Sequence, residues 1–196
     1  GGAVLDADGT GVPKGRWFRL LTPEDFIELL GPFREDDRQA GRIDRVPTPE
    51  ELRPLVPIIQ ERISTLGGIG DLIGFLWVET VALDPAVLIP KRWDRATTLA
   101  GLRAARDVIS DTGSVSFEAD ELEPPMRLAA ESNGWKAGDL FMAIRVAVTG
   151  RTATPPLFDT LVELGLDRAL ARLDAAREAL DAASACTSLQ LLTHPV

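Results

Sequence analysis

Residues 134–177 have the sequence GWKAGDLFMAIRVAVTGRTATPPLFDTLVELGLDRALARLDAAR, whose spacing of apolar residues predicts three helices joined by tight turns. From Leu140 to Val148 every side chain is apolar except that of Arg145. The first of these helices should therefore be buried on nearly all sides with one cation inside it. A buried charge needs a partner or a polar cleft, so this stretch predicts a helical fold built around an arginine.

The sequence Thr154-Pro155-Pro156 predicts the start of the second helix, because a hydroxyl caps the first turn and proline is tolerated there. Gly165 predicts its end. A helix N-terminus offers free N–H groups, and Arg145 offers donors that it cannot lose, so anions and acceptor-rich edges are candidate ligands. Alternatively, Arg145 is structural and either extends to the surface or pairs with a carboxylate.

Helical signals also dominate the rest of the chain, which has no tyrosine and few alternating β-branched runs. Thr22 and Thr48 each precede a Pro-Glu pair that is typical of a helix start. Gly31-Pro32 predicts a helix stop, and the mixed charges of residues 34–46 predict a solvated loop. We therefore predict an all-α fold of two consecutive helical subdomains, residues 1–112 and 113–196, divided at the turn Asp111-Thr112-Gly113.

The composition excludes several classes of function. With 30 acidic and 21 basic residues the net charge is −9, which does not by itself indicate a nucleic-acid binder, although a local basic face can still bind RNA. No apolar run approaches the ~20 residues that cross a bilayer, and no basic-then-apolar leader opens the chain, so we expect a cytoplasmic protein without a membrane partner. Cys186 and His194 are single residues of their types near the C-terminus, which predicts neither an internal disulfide nor a metal site and leaves their role open.

Three segments resemble the C-terminal region of bacterial-type glutamyl-tRNA synthetases. Residues 145–173, RVAVTGRTATPPLFDTLVELGLDRALARL, follow the family's order of an arginine-containing helix, a Thr-Gly turn, a Pro-Leu-Phe helix start and a Leu-Gly helix. Residues 15–33, GRWFRLLTPEDFIELLGPF, resemble the stretch after the catalytic domain. Residues 58–77, IIQERISTLGGIGDLIGFLW, resemble the anticodon-reading helix and the segment after it. The similarity covers most of residues 15–180 and is weakest over 84–113.

The resemblance implies a tRNA-binding fragment that recognises the anticodon of tRNA-Glu and positions this tRNA for glutamylation. The family's HIGH-like tetrapeptide and lysine-rich loop are missing from the sequence, so we expect no catalytic residue, no cofactor and no activity from this chain alone. The resemblance implies that the parent enzyme uses ATP and Mg, and that the catalytic domain of the same parent chain is a partner. The alternative is a helical scaffold, derived from such a domain, that binds protein.

The resemblance also implies the site residues. Arg62 matches the arginine that reads the third anticodon base, and the pocket for the neighbouring bases is matched by Arg145, Thr154, Pro155, Pro156, Leu157 and Phe158. The Watson–Crick edge of cytosine presents two acceptors to a donor-only guanidinium, whereas that of guanine presents donors. Apolar platforms for unstacked bases would come from residues 156–158 and Trp135. Arg62 could instead form an ion pair with Glu61 or Asp71.

Overall fold

The computed structural model describes residues 18–63 and 69–192, and the side chains of these residues up to 183. These residues form helices and no β-strand, so the all-α prediction is confirmed for them. Contacts divide the chain into two compact units between Glu79 and Thr80. Leu66 and His194 lie outside the described residues. The backbone of Cys186 belongs to the last helix.

The first unit contains short helices that surround a small apolar core. The α-helices are α1 (Pro23–Leu29), α2 (Gly31–Gln39), α3 (Pro49–Leu52), α4 (Val56–Arg62) and α5 (Ile69–Ile73). Single 3-10 turns follow α3 at Arg53–Leu55 and follow α5 at Gly74–Trp77. Thr22 caps α1 through a hydrogen bond from the Asp25 N–H (3.2 Å), as its position before proline predicts.

The predicted loop at residues 34–46 is wrong over its first part, which belongs to α2. Pro32 lies in the first turn of α2, where its missing N–H has no partner to lose, so Gly31-Pro32 begins a helix instead of ending one. Asp37 is only 2% exposed, and Arg42 Nε donates to its Oδ1 at 2.5 Å. The charged segment therefore contains a largely buried carboxylate that a surface pattern cannot reveal.

Helix α3 begins with a capping box, in which the residues at the two ends of the first turn each accept a side-chain hydrogen bond from the other's backbone N–H. Thr48 Oγ1 accepts from the Glu51 N–H at 3.3 Å, and Glu51 Oε2 accepts from the Thr48 N–H at 2.8 Å. Arg45 donates to both carboxylate oxygens of Glu51, at 2.8 and 2.5 Å. Because Arg45 and the Thr48 N–H favour the ionised form, the pKa of Glu51 is lowered from 4.5 to about 2.

We expect Glu51→Gln to destabilise the protein by about 1 kcal/mol at neutral pH, since it weakens the capping box and the exposed ion pair. A carboxylate whose folded pKa is depressed contributes stability above pH 4.5 and loses it as the pH falls toward 2. The difference between wild type and variant should therefore shrink when urea unfolding is repeated at pH 5, 4 and 3. Glu50→Gln, an exposed neighbour in α3, is the control and should change little. A difference that stays constant with pH would contradict the role assigned to the carboxylate.

In the second unit five helices surround one central helix. In chain order the helices are α6 (Pro85–Leu88), α7 (Arg95–Gly113), α8 (Ala119–Ser132), α9 (Ala137–Thr149), α10 (Leu157–Leu164) and α11 (Leu166–Leu192). Helix α9 is central and contacts all the others. Its fully or nearly fully buried residues are Leu140, Ala143, Ile144, Val146, Ala147, Val148 and Thr149. Burial on nearly all sides, predicted from the apolar run, is therefore confirmed.

The division between the units differs from the sequence-based boundary after residue 112. Residues 111–113 form the last turn of α7, whose buried face packs on α8, α9 and α11 inside the second unit. An Asp-Thr-Gly sequence is equally compatible with a helix end and with a linker, so local chemistry alone does not mark the boundary. The weak similarity over residues 84–113 therefore falls inside a unit and not between two.

Candidate functional site

The turn between α9 and α10 brings Arg145 and Thr154 together. Arg145 lies in the last turns of α9 and is half-buried, and its Nε donates to Thr154 Oγ1 at 3.1 Å. The Thr154 hydroxyl in turn donates to the Pro155 carbonyl at 2.9 Å. Thr154 is not the predicted helix cap, because α10 begins at Leu157 and no side chain caps it. The hydroxyl therefore orients the guanidinium.

Backbone hydrogen bonds close this turn at its α9 end. Gly150 adopts the left-handed conformation with φ 70°, and its N–H bonds the Val146 carbonyl at 2.8 Å. Thr149 Oγ1 donates to the Arg145 carbonyl at 2.7 Å and accepts from the Arg151 N–H at 3.1 Å. The Thr-Gly pair that carried the resemblance thus ends α9 directly after the turn that presents Arg145.

A second arginine, on α11, supports the same turn from inside. Arg172 is only 5% exposed, and its Nη1 donates to the Val148 carbonyl at 2.6 Å. This carbonyl is among the last four of α9, which have no partner within their own helix. Burial lowers the pKa of Arg172 to about 10, and nearby Arg168 adds to this shift. A cation at this end of α9 complements the helix dipole.

The burial of Arg172 had one signal in the sequence. In α11 the buried positions follow helical spacing and are Ala169, Arg172, Leu173, Ala176 and Leu180. An arginine therefore continues a stripe that is otherwise apolar. Two members of the stripe are alanines, so the hydrophobic pattern is weak. It does not distinguish the buried Arg172 from the exposed arginines nearby.

The apolar residues at the start of α10 are less exposed than a set of stacking platforms would require. Leu157 is 4% exposed and Phe158 is 8% exposed, and Pro155 is buried as well, so these three side chains contribute mainly to the core. Pro156 is exposed at the N-cap position of α10. Of the platforms predicted here, Pro156 is therefore the one at the surface.

One aromatic pair includes Phe158 at the start of α10, and another includes Trp135, which precedes α9. The ring of half-buried Phe141 packs edge-to-face on Phe158, with centroids 5.1 Å apart and planes at 88°. Trp135 instead packs on Trp93, with centroids 5.3 Å apart. Phe141 was missed from the sequence because it lies in an apolar run where a half-exposed ring cannot be distinguished from a buried one.

Arg62 lies in the first unit, as the exposed last residue of α4. The end of this helix is anchored by Gln60, whose Nε2 donates to the Phe18 and Leu21 carbonyls at 2.7 and 3.1 Å. Arg19 Nη2 also donates to the Glu61 carbonyl at 2.8 Å. The backbone that carries Arg62 is thus held by Gln60 and Arg19, and Arg62 itself is exposed.

Between residues 18 and 192, apart from 64–68, no helix is long and apolar enough to cross a membrane. Among the same residues, no group of three or more His, Cys, Asp or Glu side chains is arranged to hold a metal ion.

Comparison with known proteins connects this geometry to a family. A family model described as an anticodon binding domain matches residues 25–177. The glutamate–tRNA ligase of Roseiflexus castenholzii (strain DSM 13941 / HLO8) is 44% identical over 175 residues, which are 88% of this chain and 34% of that protein. The glutamate–tRNA ligase of Roseiflexus sp. (strain RS-1) is 46% identical over 170 residues, which are 85% of this chain and 33% of that protein.

A solved structure has the same fold. The crystal structure of a glutamate tRNA ligase from Elizabethkingia meningosepticum CCUG26117 in complex with its amino acid superposes with a TM-score of 0.70 at 18% identity. The match covers 85% of this chain and 31% of that one. The chain thus spans about a third of the length of the proteins that it matches.

Proposed function

Since the chain belongs to the anticodon-binding domain family, we propose that it is the tRNA-binding part of a glutamate–tRNA ligase and recognises the anticodon of tRNA-Glu. The observation that carries this proposal is the contact between Arg145 Nε and Thr154 Oγ1. It orients a half-buried guanidinium at a turn that also carries exposed Pro156, within the stretch that carries the resemblance to the synthetases. A planar donor group beside an apolar ring suits an unstacked base, which needs both hydrogen bonds and a surface to stack on.

The two units would have different roles in this function. Arg62 would donate to O2 and N3 of a cytosine at the third anticodon position, and Arg145 would bind an acceptor edge of a neighbouring base. Because the chain spans about a third of its relatives, glutamate activation with ATP and Mg is proposed for the remainder of a parent chain. This chain would then hold the tRNA so that its 3′ end reaches that catalytic domain.

Titration of the protein with an anticodon stem-loop of tRNA-Glu tests the proposal. The competitor is the same stem-loop with G in place of C at the third anticodon position, and both are measured by electrophoretic mobility at two salt concentrations. We expect binding that weakens with salt and favours the C-ending loop. Absence of binding at low salt would overturn the proposal and favour the helical protein-binding scaffold.

We expect Arg145→Ala to weaken stem-loop binding by more than 1 kcal/mol, because it removes both the charge and the donor fork that Thr154 orients. Arg145→Lys retains the charge but loses the planar fork and the Nε donor, so it should recover only part of the affinity. Binding isotherms at one salt concentration measure this, with urea unfolding as the check on folding. Unchanged affinity in a folded Ala variant would make Arg145 a structural residue.

A further inference from the structure

One exposed arginine in the second unit extends the candidate site onto a third helix. Arg127 lies on α8 with its side chain 57% exposed, and its guanidinium carbon is 5.2 Å from the centroid of the Phe141 ring on α9. Phe141 in turn packs on Phe158 at the start of α10. We name Arg127, Phe141 and Phe158 the arginine–aromatic stack. A cation over an aromatic face is attracted by the ring, so Phe141 fixes the position of Arg127.

The arginine–aromatic stack lies next to the residues proposed to bind bases. Phe141 and Arg145 are four residues apart on α9, so they share one face of the helix and are separated by about 6 Å along its axis. Both residues are half-buried, and the face between them is therefore accessible from one side. Phe158 packs on Phe141 and is largely buried, so Arg127 and Phe141 form the accessible part of the stack.

Arg127 already binds an anionic group, the carboxylate of Glu123. Glu123 Oε1 accepts from Arg127 Nε at 2.7 Å and from Nη2 at 2.5 Å, so an acidic oxygen already occupies part of the guanidinium fork. A phosphate oxygen has the same charge and acceptor chemistry. An exposed ion pair between residues four apart on a helix contributes little to stability, so a phosphate can replace Glu123 at little cost.

We propose that Arg127 binds a backbone phosphate of the anticodon loop, adjacent to the bases held near Arg145, with Phe141 as its support. This inference rests on the proposed function and adds a phosphate contact to it. A phosphate fits better than a base edge, because Arg127 is exposed and already pairs with an acidic oxygen of Glu123. For a chain with a net charge of −9, RNA affinity must come from a few well-placed cations of this kind.

Arg127→Ala tests the contact in the stem-loop titration. For single-stranded RNA, loss of one phosphate contact should lower the slope of log affinity against log salt by about 0.7, which corresponds to roughly fivefold weaker binding at 0.1 M salt. The loss should be equal for C-ending and G-ending loops, since a phosphate carries no base identity. Arg127→Lys should keep the slope. Arg103→Ala, which removes an exposed arginine of α7, is the matched control and should keep both affinity and slope.

Glu123→Gln provides a test in the opposite direction. Removing the competing carboxylate should strengthen binding, by at most the same factor of about five, and this gain should vanish when Arg127 is already alanine. Unchanged affinity and slope in Arg127→Ala, with wild type still binding, would overturn the inference and leave Arg127 as a surface ion pair. The inference is also wrong if the loss appears only with a lowered urea midpoint and Arg127→Lys fails to restore binding. If wild type itself does not bind the stem-loop, the proposed function fails, and this inference fails with it.

Discussion

Replacing Arg62 by Gln is expected to erase the preference for C over G at the third anticodon base while leaving the stability of the protein nearly unchanged. A guanidinium only donates hydrogen bonds, so it matches the acceptors O2 and N3 of cytosine and opposes the N1–H and N2–H2 donors of guanine. A glutamine amide both donates and accepts, so it can serve either base. The expected loss of discrimination is about 1–3 kcal/mol, or roughly 10- to 150-fold.

The structure gives a reason why Arg62→Gln should leave the stability of the protein nearly unchanged. Arg62 is exposed at the end of α4, and the side chains of Gln60 and Arg19 anchor the backbone of that helix end. Exposed substitutions away from caps and buried networks usually change the free energy of unfolding by less than about 0.5 kcal/mol. The binding effect should therefore appear without a folding effect.

The measurement is the ratio of the dissociation constants for the two stem-loops, together with a urea unfolding curve. Arg53→Gln is the matched control, because Arg53 is an exposed arginine of the same unit that pairs with Glu24. It should leave the ratio unchanged. A marked loss of stability in Arg62→Gln with an unchanged ratio would instead support an ion pair of Arg62 with Glu61 or Asp71.

Features that depend on neighbouring residues in the chain were predictable. Thr48 caps its helix, Gly150 and Gly165 end theirs, and the apolar run of residues 140–148 is buried on nearly all sides. Each depends on a hydroxyl, a missing Cβ or a periodicity that acts within a few residues. Arg145 and Thr154, which the resemblance assigns to one pocket, are in contact across the turn between α9 and α10.

Features that depend on packing between distant segments were not predictable from the same signals. Asp37 is buried in α2 although its surroundings in sequence are charged, because α2 packs on α5, where Gly70 leaves room for the carboxylate. Arg172 is buried because the end of α9, 24 residues earlier in the chain, provides a carbonyl for it. Leu157 and Phe158 were expected as platforms, yet the packing of α10 turns both largely inward. In each case a tertiary contact decides the exposure, and no periodicity encodes that contact.

Gly150→Ala is expected to destabilise the protein by about 3 kcal/mol and to weaken stem-loop binding as well. Gly150 has φ 70°, a conformation that costs an L-residue about 1 kcal/mol or more. A Cβ at this position would also lie 2.7 Å from the Ala82 carbonyl oxygen, a backbone atom that cannot move aside without shifting its segment. Because Gly150 lies between Arg145 and Thr154, any shift there changes the geometry of the site.

Gly134→Ala separates the two costs, because Gly134 also has φ 70° but a Cβ there would meet no atom within 4 Å. We expect this control to lose only about 1 kcal/mol by urea unfolding and to keep its affinity for the stem-loop. The remaining ~2 kcal/mol in Gly150→Ala then measures the clash with the Ala82 carbonyl. Equal losses in the two variants would mean that the Ala82 segment gives way freely. In that case the α9–α10 turn would not be held in place by this backbone contact, and the affinity of Gly150→Ala should equal that of wild type.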